Sequence, residues 1–66
     1  MVDIARLRGI FYEHHESLVQ VAKVIGVTPQ TMYRRMRSGV FGSDEIETMI
    51  RHYDIKDPMP IFFKHE

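Results

Sequence analysis

The fold of this chain is decided by residues 17–33, which read SLVQVAKVIGVTPQTMY. Ser17 and Gln20 are spaced as a capping box, in which a hydroxyl and an amide satisfy free backbone donors at a helix start. Gly26 follows the apolar stripe of that helix and suits the left-handed conformation that ends it. Thr28, followed by a proline, is then the N-cap of the next helix. The stretch predicts two helices joined by a very tight corner.

Patterns on both sides of this stretch predict further helices. A first helix is favoured over about residues 4–14, where apolar side chains recur three and four residues apart. The third helix should reach about Ser38 and stop at Gly39, and a fourth should follow Ser43 as its N-cap. Asp57 and the proline after it open a short helix or turn. Since no strand pattern or internal repeat is present, we expect an all-α fold, a compact bundle of four to five short helices forming a single domain over all 66 residues.

The composition is that of a small folded domain. Hydrophobic residues make up 44% and charged residues 27% of the chain, far from the signature of a disordered segment. With no cysteine, the chain has neither a disulfide nor a thiolate zinc site. The first residues lack an apolar run of the length of a signal peptide or a membrane span, so we expect a cytoplasmic protein with no membrane partner.

The net charge of zero hides an uneven distribution of charge. Nine Lys and Arg residues offset nine Asp and Glu residues, but residues 17–43 carry four basic residues and no acid. Residues 1–16 sum to −1 and residues 44–66 to −3. A basic block between acidic flanks predicts one surface that binds a polyanion, with the remainder unattractive to it.

The third predicted helix has a polar face opposite its apolar stripe. At about 100° per residue, the line between Met32 and Met36 marks the side that is buried. The side chains on or beside the opposite face are Gln30, Thr31, Arg34, Arg37 and Ser38. These residue types bind base edges and phosphate oxygens, and none is a carboxylate that would repel DNA.

Residues 17–33 resemble the helix-turn-helix of the Cro and phage-repressor regulators, the XRE family. Ala22 and Gly26 match the small-residue and corner-glycine positions of that family, and apolar residues beyond the corner match as well. Residues 53–63 are similar to the C-terminal end of many small phage-type members of that family. The resemblance implies a lambda-repressor-like DNA-binding domain, with its third helix in the major groove of double-stranded DNA. It also implies a homodimer on a palindromic operator.

The resemblance, together with the polar face, assigns roles to individual side chains. Gln30 would pair with N6 and N7 of adenine, and Arg34 with O6 and N7 of guanine. Thr31 would contact a thymine methyl group or a phosphate. The predicted contacts to the DNA backbone are Ser17, Thr28, Tyr33, Arg35, Arg37 and Ser38. Tyr33 suits a half-buried packing position equally well.

Other chemistry finds no support in the sequence. His15 and Glu16 begin like the zinc motif H-E-x-x-H, but Val19 stands where the second histidine is needed. His52 and His65 have no ligand spacing, so all four histidines are expected at the surface. We expect no metal site, no cofactor, no small-molecule ligand and no enzymatic activity.

Two functions are compatible with these patterns. The first is a sequence-specific transcriptional regulator, a Cro-like repressor of phage or mobile-element type that occludes a promoter on the bacterial nucleoid. The second is a protein-interaction module that keeps the helix-turn-helix shape but binds a protein partner, as an antirepressor or inhibitor. The acidic flanks favour the second, as does Leu18, which stands where many family members carry a phosphate-contacting Gln. Phe62 and Phe63 also favour it, because only one of them can face inward and the other is a dimer contact or a loose cap.

Overall fold

The computed structural model describes residues 1–63, and in that range the chain forms five α-helices and no β-strand. The helices are α1 (Ile4–Glu13), α2 (Leu18–Ile25), α3 (Pro29–Ser38), α4 (Ser43–His52) and α5 (Met59–Phe62). The predicted all-α bundle of short helices is confirmed. α1 ends one residue before its predicted limit.

A single apolar core holds the helices together. Leu7, Val21, Met32 and Met49 are fully buried, so each of the first four helices contributes one side chain to the centre. Phe62 of α5 is almost fully buried as well. Burying a side chain of this size stabilises a fold by about 1.5–3 kcal/mol. The core therefore fixes which side of every helix faces inward, including the side of α3.

The corner between α2 and α3 forms as the sequence predicts. The Ser17 hydroxyl accepts a hydrogen bond from the backbone N–H of Gln20 at 3.2 Å, and the Gln20 amide oxygen accepts from the Ser17 N–H at 2.7 Å. Gly26 ends α2 with φ of 78°. The Thr28 hydroxyl accepts from the N–H of Thr31 at 3.2 Å and opens α3. Residues 26–28 alone separate the two helices.

Two predicted N-caps are wrong by one residue. Gly42, not Ser43, is the N-cap of α4, and its backbone N–H donates to Oε1 of Glu45 at 2.9 Å. Glu45 thus supplies the glutamate half of a capping box, and no side-chain hydroxyl accepts from the first turn of α4. The N-cap of α5 is Pro58, where the sequence predicts Asp57, because the backbone N–H groups of Ile61 and Phe62 donate to the Pro58 carbonyl.

The N-terminal segment joins the end of α3 to α5. The backbone N–H of Val2 donates to the carbonyl of Gly39 at 3.2 Å, and the N–H of Asp3 donates to the carbonyl of Ile61 at 2.6 Å. Phe62 is 2% exposed and Phe63 is 48% exposed. The prediction that only one of the two phenylalanines faces inward is confirmed.

Candidate nucleic-acid interface

The outer face of α3 carries exposed polar and basic side chains. Met32 and Met36 pack into the core, with 0% and 5% of their surface exposed. Gln30, Arg34 and Arg37 are exposed on the other side of the helix. Gln30 and Arg34 are four residues apart, about one helical turn of about 5.4 Å along the axis. They therefore project side by side from the surface, as the sequence predicts.

The three predicted base-reading side chains keep hydrogen-bonding groups for a ligand. Neither Gln30 nor Arg34 makes a hydrogen bond or an ion pair to another side chain within residues 1–63. Thr31 is half-buried, and its hydroxyl oxygen accepts a hydrogen bond from the hydroxyl of Thr28 at 3.0 Å. Since a hydroxyl can donate and accept at once, the hydrogen of Thr31 stays available. We call the face formed by Gln30, Thr31, Arg34 and Arg37 the recognition face.

The three predicted phosphate-contacting hydroxyls have local structural roles. The Thr28 hydroxyl donates its hydrogen to the threonine three residues on. The Ser38 hydroxyl donates to the backbone carbonyl of Arg35 at 3.3 Å. The single hydroxyl hydrogen of each side chain is thus already donated in a hydrogen bond within α3. The Ser17 hydroxyl only accepts at the start of α2, so its hydrogen can reach a phosphate oxygen.

Arg35 is bound to α4 rather than presented to solvent. Its Nη2 donates to Oε2 of Glu45 at 3.0 Å, and its Nε lies 3.0 Å from Oε1 of the same carboxylate. The buried Nε is close enough for an ion pair but is not aligned for a hydrogen bond. The side chains of Arg35 and Glu45 are 31% and 13% exposed. The glutamate cancels the charge of Arg35, so we do not count Arg35 among the free cations of the recognition face.

The remaining cations of α2 and α3 are Lys23, Arg34 and Arg37, all of them exposed. Tyr33 lies beside them with 47% of its surface exposed, so it is not a core residue. Neither helix contains an Asp or Glu residue. This part of the surface therefore attracts an anion without an opposing charge from the same two helices.

A second polar cluster lies where the α1–α2 turn meets the end of α4. The Tyr53 hydroxyl donates to Oε2 of Glu16 at 3.4 Å, and Nε2 of His52 lies 3.8 Å from Oε1 of Glu16. The rings of His14 and His52 pack edge-on against the Tyr53 ring, at centroid distances of 5.0 and 4.7 Å. Burial, followed by the charge of Glu16 and the hydrogen bond to it, raises the pKa of Tyr53 to about 12.

The histidines of residues 1–63 do not gather into a metal site. No group of three or more metal-ligating side chains occurs within the described part of the chain. His14, His15 and His52 are exposed, as predicted, and His65 lies outside the described residues. None of the helices in residues 1–63 has the length and apolar character needed to cross a membrane.

No protein-family model matches the sequence, and neither a curated protein nor a solved structure is significantly similar to it. The case for a functional site therefore rests on the residues themselves. By its fold, the chain is a five-helix domain over residues 1–63, in which a three-residue corner presents α3 at the surface. By its chemistry, α3 presents a recognition face that is polar, basic and free of carboxylates.

Proposed function

We propose that this chain is a sequence-specific DNA-binding regulator that inserts α3 into the major groove. The observation that carries the proposal is the recognition face, in which Gln30, Arg34 and Arg37 are exposed while the opposite side of α3 is buried in the core. α3 has ten residues and is about 15 Å long. The major groove of B-DNA is about 12 Å wide and admits one α-helix.

The exposed donors fit the edges of particular bases. The Gln30 amide can donate to N7 and accept from N6 of adenine, and the Arg34 guanidinium can donate to both O6 and N7 of guanine. Each such two-bond pair discriminates against the wrong base by about 1–3 kcal/mol. Thr31 supplies a methyl group for thymine or a hydroxyl for a phosphate.

The phosphate contacts fall to the side chains that keep a free donor. Arg37 lies at the C-terminal end of the recognition face with Tyr33 beside that face, and Ser17 presents its hydroxyl hydrogen at the start of α2. Contacts to phosphate fix the position of a protein on the duplex but carry no sequence information. Thr28 and Ser38 act indirectly, because their hydroxyls fix the two ends of α3.

Two copies are needed for a useful binding site. The Cα trace measures 27 × 22 × 20 Å, whereas successive major-groove half-sites lie about 34 Å apart along one side of the duplex. One copy thus covers one half-site. A net charge of zero also gives each copy little non-specific attraction to DNA. These properties support a homodimer on a palindromic operator, acting as a Cro-like repressor of phage or mobile-element type that occludes a promoter in the bacterial cytoplasm.

Selection from a pool of random duplexes tests the proposal. The wild-type protein should return an inverted repeat, and Arg34→Ala should lose the preference at one base pair in each half-site. Arg37→Ala is the matched control, because a lost phosphate contact should weaken binding uniformly and leave the motif unchanged. Recovery of the wild-type motif with Arg34→Ala would overturn the base-reading assignment. Failure of the wild-type protein to return any motif would overturn the function.

A second candidate function is a protein-interaction module that uses the same shape. It is favoured by the exposed apolar side chains of Val40, Met59 and Phe63, which a protein partner could cover. A mobility-shift experiment on the DNA around the gene for this protein separates the two functions. The regulator should form a discrete complex that weakens as salt increases, and the interaction module should form none.

A further inference from the structure

An apolar patch lies where the N-terminal segment, the end of α3 and α5 meet. Its exposed members are Met1, Val40, Met59 and Phe63, each with 48–64% of its surface in solvent. Met1, Val40 and Phe63 line one groove of about 280 Å³. Met59 does not line this groove, but it lies one helical turn before Phe63, whose N–H donates to the Met59 carbonyl, and side chains four residues apart on a helix are neighbours. We call these four residues the apolar patch.

The size of the apolar patch fits the centre of a protein interface. Four half-exposed side chains of this kind leave on the order of 400 Å² of apolar surface in water, the size of the largest apolar patch on a typical monomer, which is often functional. For comparison, the whole chain exposes 4556 Å². A stable interface buries about 800 Å² on each partner. The apolar patch would supply about half of that area, with a polar rim around it.

Charge indicates what covers the apolar patch. No charged side chain of residues 1–63 lines its groove. In a two-fold pair, each surface meets its own equivalent, so a charged surface repels its copy and an uncharged apolar surface does not. The recognition face is basic and residues 44–66 are acidic, and neither could pair with itself in this way.

The position of the apolar patch leaves the first turn of the recognition face free. Val40 follows the C-terminal end of α3, whereas Gln30 lies in its first turn, about 15 Å away along the helix. A partner seated on the apolar patch would leave the start of α3 uncovered. A two-fold axis at the apolar patch would also direct the first turns of the two α3 helices away from each other.

We infer that the apolar patch is the surface through which two copies of this chain form a two-fold dimer. The inference rests on the proposed function, which needs two recognition faces on one duplex, and it names the surface that joins them. Val40 lies near the axis in this arrangement, between the C-terminal ends of the two α3 helices.

Sedimentation equilibrium of the whole chain, from about 1 µM to about 1 mM, tests the inference. The wild-type protein should dimerise, and Val40→Glu should raise the dissociation constant at least about 30-fold, because a carboxylate from each copy enters an apolar contact. Tyr12→Glu is the control, since it makes the same change at an 82% exposed aromatic residue of α1 outside the apolar patch. It should dimerise like the wild type.

Met59→Glu is a second variant on a different element, and it should also weaken the dimer about 30-fold or more. Circular dichroism will verify that each variant keeps its helices. The inference is overturned if the wild-type chain stays monomeric over the whole range, or if Val40→Glu and Met59→Glu dimerise as tightly as Tyr12→Glu. A monomer that forms a one-to-one complex with a different protein through the apolar patch would also overturn it.

The outcomes separate this inference from the proposed function. If the chain dimerises through the apolar patch but selects no DNA sequence, the inference is supported and the proposed function is wrong. If the chain stays monomeric but selects a DNA motif, the proposed function is supported and the inference is wrong.

Discussion

The guanidinium of Arg35 on α3 lies against the carboxylate of Glu45 on α4, with Nη2 at 3.0 Å from Oε2 and Nε at 3.0 Å from Oε1. The same carboxylate accepts the backbone N–H of Gly42 at the start of α4. One glutamate thus caps its own helix and fixes the neighbouring one. Because α3 carries the recognition face, this pair sets how that face is presented and removes one cation from it.

Glu45→Gln should lower the free energy of unfolding by about 1–2 kcal/mol, because the charge of Arg35 stays half-buried without its counter-ion. The glutamine oxygen can still accept the Gly42 N–H, so the change isolates the ion pair. Glu47→Gln is the control, since it breaks an exposed pair with Arg51 that is worth about 0.5 kcal/mol or less. Urea denaturation measures both. Equal losses for the two variants would contradict a structural role for the Arg35–Glu45 pair.

The dependence of DNA affinity on salt should differ between two arginines of α3. Arg37→Gln should reduce the slope of log K against log salt by about 0.9, the value for one lost phosphate contact. Arg35→Gln should leave the slope unchanged, because Glu45 already neutralises that arginine. Fluorescence anisotropy with the selected operator provides the measurement. An equal reduction of the slope for Arg35→Gln would show that Arg35 contacts a phosphate.

Two glycines should respond in opposite directions to replacement by alanine. Gly26→Ala should cost about 1 kcal/mol, because its φ of 78° is a left-handed conformation that strains any residue with a Cβ atom. Gly9→Ala should stabilise the protein by about 0.5–1 kcal/mol, because Gly9 lies inside α1. An added Cβ meets no atom within 4 Å at either position, so contacts do not differ. Thermal unfolding should therefore give midpoints on opposite sides of the wild type, and shifts of the same sign would show that the corner is not built as described.

The titration of Tyr53 should couple to the stability of the fold at high pH. Its pKa rises from 10.0 in an unfolded chain to about 12 in the folded protein. The protonated Tyr53 hydroxyl therefore contributes fully to the free energy of unfolding below pH 10. This contribution is lost as the pH rises towards 12. With Tyr12 and Tyr33 replaced by Phe, the ultraviolet absorbance of tyrosinate reports Tyr53 alone. Glu16→Gln in that background should lower the pKa of Tyr53 below 12 and leave it above 10, since burial is the largest cause. An unchanged pKa would exclude the contact with Glu16.

Local patterns predicted the parts of this structure that depend on neighbours in the chain. The α2–α3 corner follows from a capping box, a glycine and a Thr-Pro pair, all of which act within a few residues of one another. The exposure of Gln30 and Arg34 followed from the positions of Met32 and Met36 on the same helix. Each of these predictions needed only the residues that cap a helix or the period of the helix.

Contacts between distant residues could not be predicted in the same way. Arg35 and Glu45 are ten residues apart and on different helices, so their pairing depends on how α3 packs against α4. Glu16 and Tyr53 are separated by 37 residues, and no spacing in the sequence links them. The cap of α4 was misplaced because Gly42 and Ser43 are both residue types that suit an N-cap, and the hydrogen bond from the Gly42 N–H to Glu45 selects the glycine.

The central claim is that Gln30 and Arg34 contact the bases of a duplex, and chemical-shift mapping tests it most directly. The selected duplex should be titrated into isotope-labelled protein while the side-chain amide of Gln30 and the Nε–H of Arg34 are followed. Both resonances should move and saturate at one copy per half-site, while the backbone amide of the remote Gly9 stays in place. Unmoved resonances of Gln30 and Arg34 at saturating duplex would contradict the account.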